Sequence, residues 1–273
     1  MYSLHKIAVS VLLLSLSSSA SGGDPYRIPA GADGAGMGSV CILKNGFWSS
    51  FHNQALLAGS RSFSAGIGYE NRFSISELGT RTAGLVFPAG ETSLGIVYSH
   101  FGYNHFRREL GGISCGMILS ESIAAGVQID YFSERTSGEY ENRNTVTFEA
   151  GMLVSLKENI SIGIHVFNPV PGSLRKTFLP TSLRVGAGIE LSKVLFAGAE
   201  AEMSSGEKLI LHTGFEYEAF EKFRLRGGFS TENTSFSFGL GYLLKSLQLD
   251  LSFATHEKLG ITSGVSLVFK VRE

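Results

Sequence analysis

Histidine and cysteine, the side chains that most often carry metal and acid–base chemistry, show no site spacing in this sequence. Cys41 and Cys115 form no C-x-x-C pair, and the histidines form no H-x-H or H-E-x-x-H motif. No signature marks the serine, histidine and acidic partner that a lipase-like enzyme needs. The sequence therefore predicts a non-enzymatic protein with no catalytic residue, no metal site and no cofactor. The histidines considered are His52, His100, His105, His165, His212 and His256.

A glycine-rich stretch from Gly34 to Gly38 superficially has the form of a dinucleotide-binding loop. Such a loop follows a β-strand and opens the helix of a βαβ unit, because the helix N-terminus holds the pyrophosphate. No strand pattern precedes Gly34, and no βαβ pattern follows Gly38. A nucleotide site is therefore not predicted.

The composition excludes several classes of protein. The 273 residues contain 23 Lys+Arg and 24 Asp+Glu, which leaves a formal net charge of −1. A nucleic-acid partner is not expected, because phosphate binding normally requires a basic excess. The 43% hydrophobic content excludes a disordered polymer, and two cysteines exclude a disulfide scaffold. Thirty-four glycines, scattered singly along apolar stretches, favour β-structure over a helical enzyme.

The N-terminus has the order of regions found in a secretory signal peptide. His5 and Lys6 precede an apolar run from Ile7 to Leu16, and small residues lead to a predicted cleavage after Ala20. The alternative is a short buried helix of a cytosolic domain. No later apolar run reaches the roughly 20 residues of a membrane helix, so the mature chain is either soluble or a closed barrel. The predicted divisions are a signal peptide at 1–20, a plug segment at 21–61 and a transmembrane barrel at 62–273.

Strict alternation of apolar and polar residues predicts an all-β protein. Residues 183–191 and 247–253 alternate without interruption, as half-buried strands do. Most of the predicted strands have about 9–11 residues, the length of a tilted transmembrane strand. The pattern favours an antiparallel barrel of about 14 strands, with a β-sandwich or propeller as the alternative. The predicted strands are 62–70, 77–88, 92–102, 110–119, 123–133, 144–157, 160–168, 181–191, 194–203, 208–217, 223–230, 235–242, 247–255 and 261–271.

The connections between the predicted strands alternate in length. Very short turns at 158–159 and 192–193 follow even-numbered strands, whereas long polar segments at 134–143 and 169–180 follow odd-numbered strands. Outer-membrane barrels place short turns in the periplasm and longer loops outside. The sequence therefore predicts a barrel in the outer membrane of a Gram-negative cell. Aromatic residues near the predicted strand ends suit interfacial girdles: Tyr69, Phe101, Tyr131, Phe167, Tyr217, Tyr242, Phe253 and Phe269.

The face opposite the apolar face carries charges of both signs, which the alternation directs into the lumen. One interpretation is a solvated lining of mutually paired charges, and the alternative is a dedicated path for a substrate. The lumen charges singled out are Arg184, Glu200, Glu202, Arg224 and Arg226. The wider inward set adds Asp130, Glu149, His165, Glu190, His212 and Asp250.

The segment from Gly22 to Gly59 is rich in small residues and then in large apolar ones, without clean alternation. Its apolar content favours burial in the lumen as a plug, with a short helix around 49–58; the alternative is a loose periplasmic tail. Pairing of Cys41 with Cys115 is left open, and two unrelated thiols are favoured.

Residues 31–38, with the sequence GADGAGMG, resemble the N-terminal opening of outer-membrane barrels of the long-chain fatty-acid transporter (FadL-like) family. They are also similar to the opening of PorV/PorQ-type proteins of type IX secretion. Those families continue to an Asn-Pro-Ala-Gly-Leu element, whereas this chain has NQALL at 53–57. The resemblance implies a plug motif at Gly36, Met37, Gly38 and Asn53. Residues 180–186, 226–229 and 236–242 resemble C-terminal strands of the PorV/PorQ group, which implies a barrel of fourteen strands.

Two functions follow from this resemblance. The first is a non-enzymatic, PorV/PorQ-like barrel that docks or handles secreted or surface proteins, and the alternative is FadL-like transport of hydrophobic small molecules. The partners expected are outer-membrane lipid, and then either secreted proteins or a hydrophobic ligand. A proline-stiffened loop at 169–180 is the predicted contact surface, through Leu174, Phe178 and Leu179. The alternative for this loop is a cap folded over the mouth of the barrel.

Overall fold

The structure, a computed structural model, describes residues 31–137, 142–157, 159–170 and 178–271. The predicted signal peptide and residues 21–30 of the predicted plug lie outside this part of the chain. Within it, fourteen antiparallel strands form one sheet, and β1 pairs with β14 to close the barrel. The predicted fold class is confirmed. The strands are β1 Ser64–Asn71, β2 Gly79–Ala89, β3 Thr92–Tyr103, β4 Phe106–Ser120, β5 Ile123–Thr136, β6 Arg143–Lys157, β7 Ile160–Phe167, β8 Ser182–Ser192, β9 Leu195–Ser204, β10 Ile210–Phe220, β11 Phe223–Ser230, β12 Ser235–Leu244, β13 Leu247–His256 and β14 Gly260–Lys270.

The strands expose apolar side chains outward and bury polar ones inward. In β8, Val185 is exposed while Arg184 is buried; in β13, Phe253 is exposed while Asp250 is fully buried. This distribution of apolar and polar side chains is the reverse of that in a soluble protein. A barrel wall in lipid requires it, because the outer face meets hydrocarbon.

Within the described residues, no helix is long and apolar enough to cross a membrane.

The two ends of the barrel differ in their connections. Each even-numbered strand before β14 is followed by a connection of two residues, at 90–91, 121–122, 158–159, 193–194, 221–222 and 245–246. At the other end the β3–β4 connection also has two residues, 104–105, but the other connections are longer, up to residues 168–181 between β7 and β8. We call these the short-turn end and the long-loop end. By the rule for outer-membrane barrels, the long-loop end faces the cell exterior.

The segment before β1 lies inside the barrel and contains only short helices. Helix α1 spans Ala32–Gly36, and 3₁₀ turns span Phe47–Phe51 and Gln54–Gly59. The single helix expected around 49–58 is therefore two turns. They are separated at Asn53, whose backbone is extended and whose side chain accepts a hydrogen bond from the Ala55 N–H. A cap of this kind begins a new helical turn instead of continuing the previous one.

Two aromatic residues assigned to the interfacial girdle point inward instead. Phe101 is stacked under the Arg108 guanidinium, 5.9 Å from the ring centre. Phe167 packs against a buried apolar cluster inside the barrel. Position near a strand end does not determine the face, because the face changes with every residue. Both cysteines are free; Cys115 lies on the wall, where its register partners are Leu94 and Val127, both on the lipid side.

Candidate functional site

The plug, residues 31–59, lies directly against glycines of the barrel wall. A Cβ added at any of these glycines would collide with, or press on, plug atoms. Close approach of two backbones is a recognised use of glycine in strands. Glycine leaves space on the inward face of the wall, and the plug occupies that space. The wall glycines that face backbone atoms of the plug, which we call the glycine ring, are Gly116, Gly126, Gly151, Gly163, Gly214, Gly228 and Gly239.

The predicted plug motif lies at this contact. Gly38 has φ +68, and its N–H donates to the Ser237 Oγ at 2.7 Å. The Gly38 carbonyl accepts from Nδ1 of His212 at 2.9 Å, and the Gly36 carbonyl accepts from the Ser237 hydroxyl at 3.3 Å. Met37 between them is buried. Glycine is required at 38, because the left-handed backbone and the close wall both exclude a Cβ.

Arg184 and Glu200 form a buried clamp on the plug backbone. One Glu200 oxygen accepts from the N–H groups of Cys41 at 2.6 Å and Ile42 at 2.8 Å. The other Glu200 oxygen accepts from Arg184 at 2.6 Å, and the same Arg184 nitrogen donates to the Ser39 carbonyl at 2.7 Å. Buried ion pairs are tolerated when the remaining polar atoms also find partners; here Arg184 Nε makes no hydrogen bond and lies 3.5 Å from the Glu202 carboxylate.

Glu202 extends the clamp towards the plug motif. Its carboxylate lies 3.5 Å from the Arg184 guanidinium and 3.2 Å from Nε2 of His212. Because a carbonyl only accepts hydrogen bonds, Nδ1 of His212 must carry the proton that it gives to Gly38. The predicted lumen residues Arg184, Glu200 and Glu202 therefore act together on the plug.

A second charged group holds the plug from β10, β11 and β13. Arg226 donates to Glu216 and to Asp250, both at 2.6 Å, and is 1% exposed. Lys44 of the plug pairs with the same Glu216. Arg224, also predicted as a lumen charge, is more exposed and lies 3.9 Å from Glu216. The predicted arginines therefore differ, since Arg226 is locked in the group and Arg224 lies at its edge.

Asp33 of α1 faces this second group. Its carboxylate accepts from the Gly34 N–H at 2.9 Å. Burial in the lumen, and then the nearby Asp250 charge, raise the pKa of Asp33 from 3.8 to about 6, while Arg226 opposes the rise. The charge of this plug residue therefore changes within the range of pH that cells meet.

The amides of Asn53 and Gln54 hold the later part of the plug. Asn53 is fully buried and donates to the Ile42 carbonyl at 2.9 Å, which ties the two parts of the plug together. Gln54 donates to Glu149 at 2.7 Å, and Glu149 also contacts Nε2 of His165 at 2.9 Å. The role of Gln54 is not anticipated from the sequence. The signal that could have indicated it is the position of Gln54 next to Asn53, in a segment expected to be buried.

Aromatic residues of the plug pack against glycines of β1 and β2. Phe47 and Trp48 meet edge to face, with ring centres 4.9 Å apart. The Phe47 ring occupies the space in front of Gly66 and Gly84, and Trp48 lies near Gly68. These contacts belong to a buried apolar cluster, whose members are Phe47, Trp48, Leu57, Val86 and Val268.

An apolar cluster lies on one side of the lumen near the long-loop end, and we call it the mouth cluster. It brings residues of β3, β4 and β5 against the β7–β8 connection and against Phe51 of the plug. The rings of Phe132 and Phe178 lie 5.9 Å apart, and the Leu179 carbonyl accepts from the Asn168 side chain at 2.9 Å. The members are Val97, Leu110, Phe132 and Leu179, with Phe51, Phe167 and Phe178 packed against them.

The predicted contact loop is therefore turned towards the lumen where it is described. Leu179 is 5% exposed and Phe178 packs on the mouth cluster, so neither side chain is displayed outward. Leu174 lies outside the described residues. Burial against the apolar cluster removes these two side chains from water, which explains why they do not form an exposed surface.

Among the described residues, no group of three or more His, Cys, Asp or Glu side chains is arranged to hold a metal ion. The charged side chains in the lumen instead bind one another and the plug backbone. The site therefore holds a segment of the chain inside the barrel.

No protein-family model matches the chain, and no curated protein is similar to it in sequence. Several solved structures share its fold. The toluene transporter TbuX of Ralstonia pickettii matches with a TM-score of 0.67 at 12% identity, over 90% of this chain and 98% of that chain. A Pseudomonas aeruginosa FadL homologue matches with a TM-score of 0.64 at 12% identity, over 89% of this chain and 98% of that chain. The Pseudomonas putida toluene transporter TodX matches with a TM-score of 0.65 at 10% identity, over 88% of this chain and 96% of that chain.

These identities establish the fold and nothing finer. The three neighbours include no PorV/PorQ-type protein, so that part of the resemblance lacks support. The predicted outer-membrane location is confirmed by the closed barrel with its apolar outer face. The chain has the fold of FadL-type outer-membrane transporters.

Proposed function

We propose that this protein carries small hydrophobic compounds across the outer membrane. The observation behind the proposal is its fold, a closed barrel that matches toluene transporters over nine-tenths of this chain and nearly all of theirs. The first function expected from the sequence, docking or handling of secreted or surface proteins, has no such support, and the proposal takes up the alternative stated there. Two of the three residues assigned to docking face the lumen.

The mouth cluster supplies an entry site of suitable chemistry. Most inward positions of the barrel are charged, small or hydroxylic, whereas Phe132, Leu110 and Val97 form an apolar surface just inside the long-loop end. Ligand sites for hydrophobic compounds are lined mainly by apolar and aromatic side chains. Phe178 and Leu179 cover this surface, so an arriving solute takes their place.

The mouth cluster is in direct contact with the plug. Phe51 packs against the mouth cluster and lies 5.7 Å from Trp48, ring centre to ring centre. A solute that displaces Phe178 therefore meets the plug next. Passage requires rearrangement of the plug, because its backbone lies against wall glycines on both sides of the lumen. Transport then depends on how firmly the plug is held.

Uptake by whole cells tests the proposal. A Gram-negative host without its own hydrophobic-compound transporters would express the protein, and uptake of labelled toluene, labelled oleate and a labelled sugar would be measured. We expect toluene or oleate uptake above that of cells with empty vector and unchanged sugar uptake. Uptake of both hydrophobic probes at the vector level would contradict the proposal.

A variant of the mouth cluster locates the entry site. Phe132→Ser removes apolar surface that the solute contacts at the mouth, and a loss of about 1.4 kcal/mol would lower uptake about tenfold at limiting solute. Phe220→Ser is the matched control, because Phe220 is 75% exposed at the short-turn end. A shift in gel mobility on boiling shows that each variant still forms a barrel. Equal uptake by the two variants would exclude the mouth cluster as the entry site.

A further inference from the structure

Charged side chains on the outer wall are confined to one sector of the barrel. The outward positions of β7 to β14 carry only apolar, glycine, serine, threonine or tyrosine side chains. On β2 to β5, by contrast, alternation and register place three arginines, one histidine and one glutamate outside. A charge facing lipid is costly unless it lies at the interface or has a partner. We call this set the basic patch: Arg81, His100, Arg107, Glu109 and Arg135.

The basic patch has more cations than its own anion can pair. Arg107 and Arg135 are direct cross-strand partners, an arrangement that is unfavourable for like charges. Glu109 lies 3.9 Å from Arg107 and 3.5 Å from His100, and it also accepts from a tyrosine. Arg135 is exposed and makes no ion pair with another described residue. The basic patch thus holds three guanidinium groups and one carboxylate, of which only Arg107 lies within ion-pair distance of Glu109, and this excess of positive charge suits an added anion.

The height of the basic patch matches that of lipid headgroups. Tyr98 points outward two residues nearer the middle of the wall than His100, and Tyr131 lies in the same row as Tyr98. Tyr69 is the cross-strand partner of Arg81. Tyrosines of this kind mark the membrane interface. The patch therefore begins at the interface and continues towards the long-loop end, which the connection lengths assign to the cell exterior.

An apolar groove begins directly below the basic patch. It is open to the lipid side, has a volume of about 440 Å³, and is lined almost wholly by apolar atoms. Ala83 lies two residues below Arg81 on β2, and Tyr98 two residues below His100 on β3. Small side chains at 65 and 83 between larger neighbours create the concavity. Its lining includes Ala65, Ile67, Ala83, Leu85, Ile96 and Tyr98.

We propose that this sector binds one phosphorylated glycolipid of the outer leaflet, with a phosphate on the arginines and an acyl chain in the groove. Guanidinium groups bind phosphate through charge-assisted and often bidentate hydrogen bonds. The groove supplies the second half of the recognition, because a free phosphate would leave it empty. This inference is independent of the transport proposal, since the lipid binds outside the barrel.

Binding to purified protein in detergent tests the inference. The probe is a hexa-acylated, bisphosphorylated glucosamine disaccharide lipid, compared with its dephosphorylated form and with phosphatidylglycerol. We expect saturable binding of the phosphorylated glycolipid at one per barrel, and at least tenfold weaker binding of both comparison lipids. Equal binding of phosphatidylglycerol would overturn glycolipid recognition, and equal binding of the dephosphorylated form would overturn the role of phosphate.

Variants separate the two parts of the site. Arg107→Gln with Arg135→Gln removes two cations from the patch and should weaken binding at least tenfold. Lys193→Gln with Lys222→Gln, in exposed short-turn connections, removes the same charge and should leave binding unchanged. Ala83→Trp fills the groove, and Ala83→Leu fills it less; binding should fall in that order. Barrel formation is checked by gel mobility on boiling. Equal effects of the two charge variants, or no effect of filling the groove, would overturn the inference.

Discussion

The two halves of the plug are held by different kinds of contact. The first half, residues 31–44, lies among charged groups of β8 to β13, with Glu200, Arg184 and His212 on its backbone. The second half, residues 47–59, is held mainly by buried apolar side chains and two amides. Charge responds to pH and to single substitutions, whereas apolar packing does not respond to pH. The comparison indicates that the first half is the part suited to regulated release.

The chain contains one natural probe for each half. Cys41 lies in the first half and Trp48, the single tryptophan, lies in the second. With Cys115 replaced by serine, the rate of maleimide modification reports release of the first half. Tryptophan fluorescence reports the surroundings of the second half. Each prediction below therefore has a readout that assigns its effect to one half.

The largest effect is expected from Glu200→Ala. The substitution leaves the Arg184 charge and two plug N–H groups without their carboxylate, and breaking a buried pair in this way costs about 3–5 kcal/mol. Cys41 should react far faster, while Trp48 emission changes little. Glu190→Gln is the control, because Glu190 is an exposed inward acid near the short-turn end. Unchanged Cys41 reactivity would show that the clamp does not hold the first half.

A smaller effect, on the other half, is expected from Leu57→Ala. Leu57 is fully buried against Trp48 and Phe47, and deletion of such a side chain costs about 2–5 kcal/mol. The urea midpoint followed by Trp48 fluorescence should fall, and Cys41 reactivity in the folded protein should stay near that of the parent. Leu211→Ala, on the lipid side, is the control. Equal effects on both probes would mean that the plug is released as one unit.

A pH dependence is expected for the first half through the side chain of Asp33. The pKa of Asp33 in the seated plug is about 6, above its ordinary value of 3.8, so the seated state binds this proton more tightly than the released state. Seating is therefore strongest below about pH 4, weakens as the pH rises to about 6, and then levels off. The change is about 1–3 kcal/mol. Cys41 reactivity, normalised to that of the unfolded chain, should rise across this window, and Asp33→Asn should flatten it.

The smallest effect is expected from Ser237→Ala. The Ser237 hydroxyl donates to the Gly36 carbonyl and accepts from the Gly38 N–H, both in the plug motif. A neutral hydrogen bond contributes about 0.5–1.5 kcal/mol. Cys41 reactivity should increase modestly, because the motif is close to it in the chain. Ser263→Ala, on the outward side of β14, is the control. An effect as large as that of Glu200→Ala would place the main anchor at the motif instead of the clamp.

Much of the fold could be predicted from the sequence, because period-2 alternation fixes both the strands and their faces. The inward positions of Arg184 and Glu200 follow from that alternation alone. Their partners do not, since contact with the Cys41 and Ile42 backbone depends on how a segment without periodicity crosses the lumen. The inward direction of the Phe178 side chain could not be predicted from the sequence either, because loop residues show no alternation that would indicate their face.

The plug also bears on how the barrel closes. The first and last strands are the only pair brought together from opposite ends of the chain, and the plug touches both sides of this seam. The Ala32 N–H donates to Ser266 of β14 at 3.2 Å, while Phe47 lies against Gly66 of β1 and Val268 of β14. A segment that contacts both edges stabilises their pairing, so removal of the plug is expected to weaken the seam between β1 and β14 more than any other strand pair.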